Sequence, residues 1–156
     1  RLLTTTLVTL FLLISAAKAD EFNCLVEALY HEARSESFIG MLSVAGVILT
    51  RKESSNFPDT ICKVVHQGKY WKGNPIKDKC HFSYWCDGRP ERFTDVEGLI
   101  KSINVAEMSL NGIQVKQTVG CTHYHATYVT PKWASNPHFK SIGQIGNHIF
   151  YIDTTP

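Results

Sequence analysis

The stretch Cys24-Leu-Val-Glu-Ala-Leu-Tyr-His-Glu-Ala-Arg-Ser-Glu36 combines an apolar helical pattern with an unusual number of acids. Its apolar residues predict a helix over about 22–34 that is buried on one side. Acidic residues interleave with these apolar positions, so at least one carboxyl group should lie close to apolar surface. A carboxyl group in such surroundings has a raised pKa and can donate a proton. The stretch therefore contains candidate proton donors: Glu27, Glu32 and Glu36.

The three glutamates of this stretch do not all point the same way. Glu32 and Glu36 are four residues apart and would share a face if the helix continued, whereas Glu27 lies about 140° round the helix from Glu32. A pair of carboxylates can catalyse glycoside cleavage, and their separation sets the outcome. One acid is enough when the substrate supplies its own nucleophile. The alternative is that Glu32 and Glu36 simply pair with Arg34, lysines or backbone amides.

The remainder of the chain predicts helices first and a small antiparallel sheet afterwards, which is an α+β domain. Predicted helices cover about 22–34, 38–52, 60–66 and 95–111, and the second is apolar around most of its circumference, as expected of the central core helix. Predicted strands or extended segments cover 80–86, 121–129 and 148–152, while the polar stretch 67–79 predicts a loop. The last two extended segments are expected to pair.

The first nineteen residues predict a secretory signal peptide. Arg1 precedes an uncharged, largely apolar run that ends at Ala17-Lys18-Ala19, a small-x-small cleavage pattern. We expect cleavage after Ala19, leaving a secreted or periplasmic domain over 20–156 that is monomeric and not inserted in a membrane. An uncleaved membrane anchor is the alternative, although the run is short for a bilayer span and rich in Thr and Ser.

Removing this segment changes the charge balance. The whole chain has 16 Lys and Arg against 14 Asp and Glu, and residues 1–19 contain Arg1, Lys18 and no acid. The mature chain is therefore formally neutral. A formally neutral chain lacks the excess positive charge that favours nucleic-acid binding, so we expect no nucleic-acid partner.

Five cysteines in an exported chain predict up to two disulfides and one remaining thiol. Cys80 and Cys86 bracket a short segment and make a plausible local bridge. Cys24 with Cys62 is the second predicted pair, which leaves Cys121. A zinc site built from cysteines is disfavoured because no Cys-x-x-Cys occurs.

The pair His123-x-His125 lies on a predicted strand, so both side chains face the same way. With a third histidine (His31, His81 or His148) they could bind zinc and polarise a carbonyl group. The alternative is that they form a hydrogen-bonding wall of a pocket. Several aromatic residues, including Phe82, Tyr124 and Trp133, lie in predicted loops or at strand ends, where aromatic faces can cover the C–H surface of a sugar.

Taken together, six ordered motifs resemble those of the spore-cortex-lytic cell wall hydrolase family, over about 22–152. The motifs are Glu27-Ala-Leu-Tyr-His-Glu-Ala-Arg-Ser-Glu36, Phe57-Pro-Asp-Thr-Ile-Cys62, Cys80-His-Phe-Ser-Tyr-Trp-Cys-Asp-Gly88, Thr122-His-Tyr-His-Ala126, Pro131-Lys-Trp-Ala134 and Gly146-Asn-His-Ile-Phe-Tyr151. The chain departs from the family's usual pattern at Ser35, where Gly is usual, and at His81, where Gln is usual. These departures leave the fine specificity open.

The resemblance implies a small lysozyme-like domain that cleaves peptidoglycan between N-acetylmuramic acid and N-acetylglucosamine, as lytic transglycosylases do. It implies a single catalytic acid that maps onto Glu32. We expect Glu36 to be a secondary site residue, and we expect no cofactor or metal. The expected cleft wall consists of Phe82, Ser83, His123, Tyr124, His125 and Trp133. A zinc-dependent amidase or stem-peptide hydrolase, and a non-catalytic wall-binding or virion protein, remain alternatives, and either a bacterial or a phage origin fits.

Overall fold

Helices precede a small antiparallel sheet in a computed structural model of the chain, which describes residues 2–156 and the side chains from residue 17 onward. The helices are α1 (Leu2–Ala33), α2 (Phe38–Glu53), α3 (Ile61–Val65) and α4 (Val96–Leu110). The strands are β1 (Gly68–Trp71), β2 (Asn74–Cys80), β3 (His123–Ala126), β4 (Phe139–Ile145) and β5 (His148–Asp153). Short 3₁₀ turns cover Ser83–Cys86, Lys116–Thr118 and Lys132–Ser135. The predicted α+β class is confirmed.

Helix α1 begins earlier than the sequence predicted. No Gly or Pro interrupts the chain ahead of Asp20, so the helix continues through the predicted caps instead of starting at them. The predicted signal peptide falls on residues 1–19: Arg1 lies outside the described residues, as do the side chains up to residue 16. Among the described residues, no helix combines the length and apolarity needed to cross a bilayer.

Helix α2 forms the centre of the core. Ser37 caps it by accepting a 3.1 Å hydrogen bond from the Gly40 amide. Apolar side chains on nearly all sides of the helix are buried: Met41, Leu42, Val44, Ala45, Val47 and Ile48. Helices α1, α3 and α4 pack around it, so the C-terminal end of α1 is held rigidly against the core.

The predicted loop at 67–79 is wrong, because β1 and β2 form an antiparallel hairpin there. Its two central turn residues, Lys72 and Gly73, have φ angles of 48° and 81°. This is the turn geometry that matches the twist of paired strands. The loop was predicted from the polarity of this stretch. In the structure Gly73 forms the turn, and Pro75 lies in a strand that pairs on one side only.

The segment between Cys80 and Cys86 is also not extended, as the sequence had predicted. It contains the 3₁₀ turn Ser83–Cys86. A disulfide joins the two cysteines, whose Cα atoms are 6.1 Å apart, whereas six extended residues would span roughly 20 Å. The chain must therefore turn. A second disulfide joins Cys24 to Cys62, and Cys121 is buried with its thiol free.

The second sheet has the strand order β3-β5-β4, and both pairings are antiparallel. The pairing of the segments around residues 123–126 and 148–153 agrees with the prediction. Strand β4 was not predicted, because its sequence is polar and interrupted by Gly143, where the register shifts at a bulge. The sheet places β3 opposite the end of α1.

Candidate active site

Glu32 lies near the C-terminal end of α1 and lines a cavity of about 660 Å³. The other walls come from residues 81–94 and 124–129, together with Arg51 of α2 and His148 of β5. Tyr30 on α1 fixes one wall, since its hydroxyl oxygen accepts hydrogen bonds from the amides of Thr94 (2.9 Å) and Asp95 (2.8 Å). The cavity is thus built on the rigid helical core.

The surroundings of Glu32 favour its protonated form. Burial raises the pKa of this carboxyl group. Three influences act in the opposite direction: the Tyr124 hydroxyl, which donates to Glu32 Oε2 at 3.1 Å, the Tyr84 amide and the positive charge of Arg51. Burial prevails, so Glu32 keeps its proton to a higher pH than an exposed glutamate does.

Tyr124 reaches Glu32 because of strand alternation. In β3 the side chain of Tyr124 points to the opposite face from His123 and His125. Burial and the negative charge of Glu32 raise the Tyr124 pKa well above its ordinary value of 10.0. The Tyr124 hydroxyl therefore remains a hydrogen-bond donor throughout the physiological pH range.

His123 and His125 share the other face of β3 and pack against Trp133, with ring centroids 5.2 Å and 5.7 Å away. His123 Nδ1 contacts the Thr122 hydroxyl at 2.9 Å. Burial depresses the pKa of the His123 imidazole to about 4. The structure places His125 on the cavity wall, whereas His123 and Trp133 do not line it.

Both ring nitrogens of His125 have protein partners. Nδ1 donates to the Ala126 carbonyl and Nε2 accepts from the Tyr151 hydroxyl, both at 2.9 Å. This assigns the Nδ1–H tautomer. In the part of the chain with described side chains, no three His, Cys, Asp or Glu residues converge as a metal site would need. The geometry fits a hydrogen-bonded wall better than a pair of zinc ligands.

Phe82 and Ser83 both line the cavity but differ in exposure. Phe82 is buried, and its ring lies 5.3 Å from the Arg51 guanidinium carbon. Ser83 is exposed at the rim. Phe82 therefore supports the floor of the cavity, and Ser83 is available to a ligand.

Glu36 does not join Glu32 in the cavity. Helix α1 ends at Ala33, so the two side chains no longer follow one helical face. The Glu36 side chain is buried and its Oε2 accepts a 3.0 Å hydrogen bond from the Asn147 amide. Lys101 Nζ donates to the Glu36 carbonyl at 2.6 Å. Glu36 thus fastens the β4–β5 turn to the end of α1.

Sequence reasoning did not identify Arg51 as a candidate site residue. Arg51 is buried and lines the cavity. The available signal was its position four residues after Val47 and three after Ile48, which places it on a buried helical face. Tyr128 is one of the aromatic residues that the sequence places in a loop or at a strand end, and the structure shows it 86% exposed on the cavity wall.

Comparisons with known proteins agree on one family. A family model described as Cell Wall Hydrolase matches residues 35–151, so Glu32 lies just before the matched region.

Spore cortex-lytic enzymes from two bacteria are similar to most of this chain. The enzyme from Bacillus cereus is 25% identical over 135 residues, and the enzyme from Oceanobacillus iheyensis is 27% identical over 132 residues; each match covers 84% of this chain. One from Halalkalibacterium halodurans is 38% identical over 48 residues, which is 31% of this chain and 14% of that protein. The chain spans only 44% and 41% of the first two relatives.

Two solved structures share the fold. The catalytic domain of the Bacillus cereus SleB protein gives a TM-score of 0.61 at 24% identity, covering 85% of this chain and 90% of that domain. The catalytic domain of the germination-specific lytic transglycosylase SleB from Bacillus anthracis also gives 0.61 at 24% identity, covering 84% and 93%. These likenesses establish the α+β architecture.

Proposed function

Since this chain belongs to the cell wall hydrolase family, we propose that it cleaves the glycan strand of peptidoglycan, with Glu32 as its catalytic acid. The bond cut is the one between N-acetylmuramic acid and N-acetylglucosamine. The observation that carries the proposal is the Glu32 carboxyl group, which lines the cavity with a pKa raised by burial and a hydrogen bond from Tyr124. A general acid needs this combination of access and retained proton.

In the proposed reaction, protonated Glu32 gives its proton to the glycosidic oxygen as the bond from that oxygen to muramic acid C1 breaks. The N-acetylglucosamine leaves with a free hydroxyl group, and positive charge develops at C1. The Glu32 carboxylate then takes the proton from the muramic acid C6 hydroxyl, whose oxygen bonds to C1 and closes a 1,6-anhydro ring. Tyr124 donates to the carboxylate during the interval in which it is charged, and the Arg51 charge favours the same state.

The other acids of the cavity support a single-carboxylate mechanism. The Asp87 carboxylate accepts a 2.7 Å hydrogen bond from the Arg89 amide within its own turn, and Glu91 is exposed to solvent. Burial raises the pKa of Glu32, so Glu32 is the carboxyl group best suited to hold a proton. The lytic transglycosylase named among the structural relatives supports the same reaction class.

Product analysis tests this proposal. Purified protein is incubated with peptidoglycan sacculi, and the soluble products are identified by mass spectrometry. We expect muropeptides that end in 1,6-anhydro-muramic acid, which disappear with Glu32→Gln and persist with the exposed-site control Glu97→Gln. Free stem peptides whose release a chelator abolishes would support the zinc amidase alternative. Binding without any soluble product would support the non-catalytic alternative.

The proposed site of action is the cell wall, which requires export. Family membership and the two disulfides support an extracellular location. We propose that residues 1–19 act as the cleaved signal peptide. N-terminal sequencing of protein secreted from cells that express residues 1–156 should find Asp20 first, and a chain that retains residues 1–19 would refute this.

A further inference from the structure

Arg51 is the one Lys or Arg that is buried among the described side chains. We propose that Arg51 is a substrate-binding residue, whose guanidinium group donates a hydrogen bond to a neutral acceptor oxygen of the sugar that sits against Glu32. The inference rests on the proposed function. It adds a second contact between the protein and the bound sugar, on the core side of the cavity.

The protein holds the Arg51 guanidinium group in a single orientation. Its Nε donates a 2.6 Å hydrogen bond to the Thr122 carbonyl. The guanidinium carbon lies 5.0 Å from the Phe57 ring centroid and 5.3 Å from that of Phe82, and these aromatic faces favour a cation. The side chain is only 7% exposed. Little conformational freedom remains, so a ligand would meet a donor that is already in place.

One end of this fixed group has no protein partner. Arg51 Nη1 is buried and has no hydrogen-bond acceptor among the described residues, and no described carboxylate forms a salt bridge with Arg51. An unpaired donor on a buried cation costs free energy. Arg51 lines the same cavity as Glu32. A bound ligand would supply an acceptor to the guanidinium group on the cavity side.

The charges of the cavity indicate which acceptor fits. Glu32 passes through a carboxylate state during the proposed reaction, and it lies close enough for its charge to act on Arg51. An anionic ligand group beside Arg51 would be repelled by that carboxylate. A sugar hydroxyl or acetamido carbonyl oxygen carries no net charge and accepts a hydrogen bond, so it suits both groups.

Binding of an N-acetylglucosamine tetramer tests the inference in a Glu32→Gln background, where cleavage does not interfere. Calorimetry should show that adding Arg51→Met weakens binding about tenfold or more, since hydrogen bonds to charged groups are the stronger ones. The matched control is Lys52→Met, which removes the neighbouring cation of α2, a residue that pairs with Glu53 and does not line the cavity. We expect it to change binding less than threefold. Equal losses in the two variants, or no loss with Arg51→Met, would overturn the inference.

A second measurement covers the case in which Arg51→Met does not fold. Side-chain ¹⁵N spectra of the arginines in the Glu32→Gln chain should show the Nη signals of Arg51 shifting when the tetramer is added. Unchanged Arg51 signals at saturating tetramer would refute the contact. The outcome is separable from that of the proposed function: loss of the Arg51 effect leaves Glu32-dependent cleavage intact, and cleavage by Glu32→Gln would refute the catalytic role without altering the binding result.

Discussion

Glu32 and Glu36 are four residues apart, yet the fold puts them in different environments. Glu32 lines an open cavity and has one side-chain hydrogen bond, from Tyr124. Glu36 is 5% exposed, accepts a hydrogen bond from the Asn147 amide and lies 3.7 Å from His148 Nδ1. The difference arises because α1 ends between them. Where a helix stops, rather than the spacing of its acids, decides which carboxyl group can react.

The Glu36 environment also constrains its neighbours. A Cβ at Gly40 would lie 3.0 Å from Glu36 Oε2, and one at Gly146 would collide with the same oxygen. Gly146 has a φ of 59° in the β4–β5 turn, so it meets both a steric and a conformational demand. Glu36 is therefore packed on all sides as a structural group would be, and Glu32 is left accessible as a reactive group must be.

The largest effect that separates the two residues should be on catalysis. Glu32→Gln preserves shape but cannot transfer a proton, so we expect the rate of sacculus cleavage to fall between about a hundredfold and ten-thousandfold. Glu36→Gln retains an oxygen that can accept from Asn147, and it should lower the rate less than about tenfold. Turbidity loss of sacculi, normalised to folded protein by circular dichroism, measures both. Equal losses would mean that Glu36 shares the chemistry.

The free energy of unfolding should depend on the Glu36 side chain, whose expected effect on catalysis is small. Glu36→Ala leaves the buried side of the Asn147 amide without its acceptor, which should lower the free energy of unfolding by about 1–3 kcal/mol. Glu97→Ala, at an exposed site of α4, should change it by less than about 0.5 kcal/mol. Urea denaturation followed by circular dichroism gives both values. A Glu36→Ala chain as stable as the control would remove the structural role.

The sequence predicted more of the helical core than of the cavity. Apolar periodicity placed α2 and α4 because burial of one helical face repeats along the chain. The partners of Glu32 depend on which distant elements meet, and Tyr124 is 92 residues away. No local pattern encodes that contact. Strand alternation could only divide Tyr124 from His123 and His125, without showing which side faced the acid.

Tyr124→Phe tests the hydrogen bond that the Tyr124 hydroxyl donates to Glu32. The Tyr124 hydroxyl stabilises the charged form of Glu32, so its removal should raise the Glu32 pKa further. The alkaline limb of the pH–rate profile should then move to higher pH. The maximal rate should fall by about fivefold, the worth of a net ~1 kcal/mol hydrogen bond. His123→Gln, which lies on the opposite face of β3 and does not line the cavity, is the control that should leave the limb in place. A shift to lower pH would contradict the assigned contact.

The smallest expected effect is the pH dependence of stability that comes from Glu32 alone. Burial raises its pKa in the folded chain above the ordinary value of 4.5, so the unfolded chain releases this proton first as pH rises. The folded state then binds more protons than the unfolded state, and stability falls with pH over that window. Below pH 4.5 the carboxyl group is protonated in both states and contributes no slope.

Subtracting the unfolding free energy of Glu32→Gln from that of the wild type removes groups common to both, including Glu27, whose pKa is also raised by burial. Denaturation across a pH series should give a difference that is flat below 4.5 and then declines. A difference that rises with pH would mean that Glu32 is stabilised as a carboxylate, like a structural acid, and the contrast with Glu36 would fail.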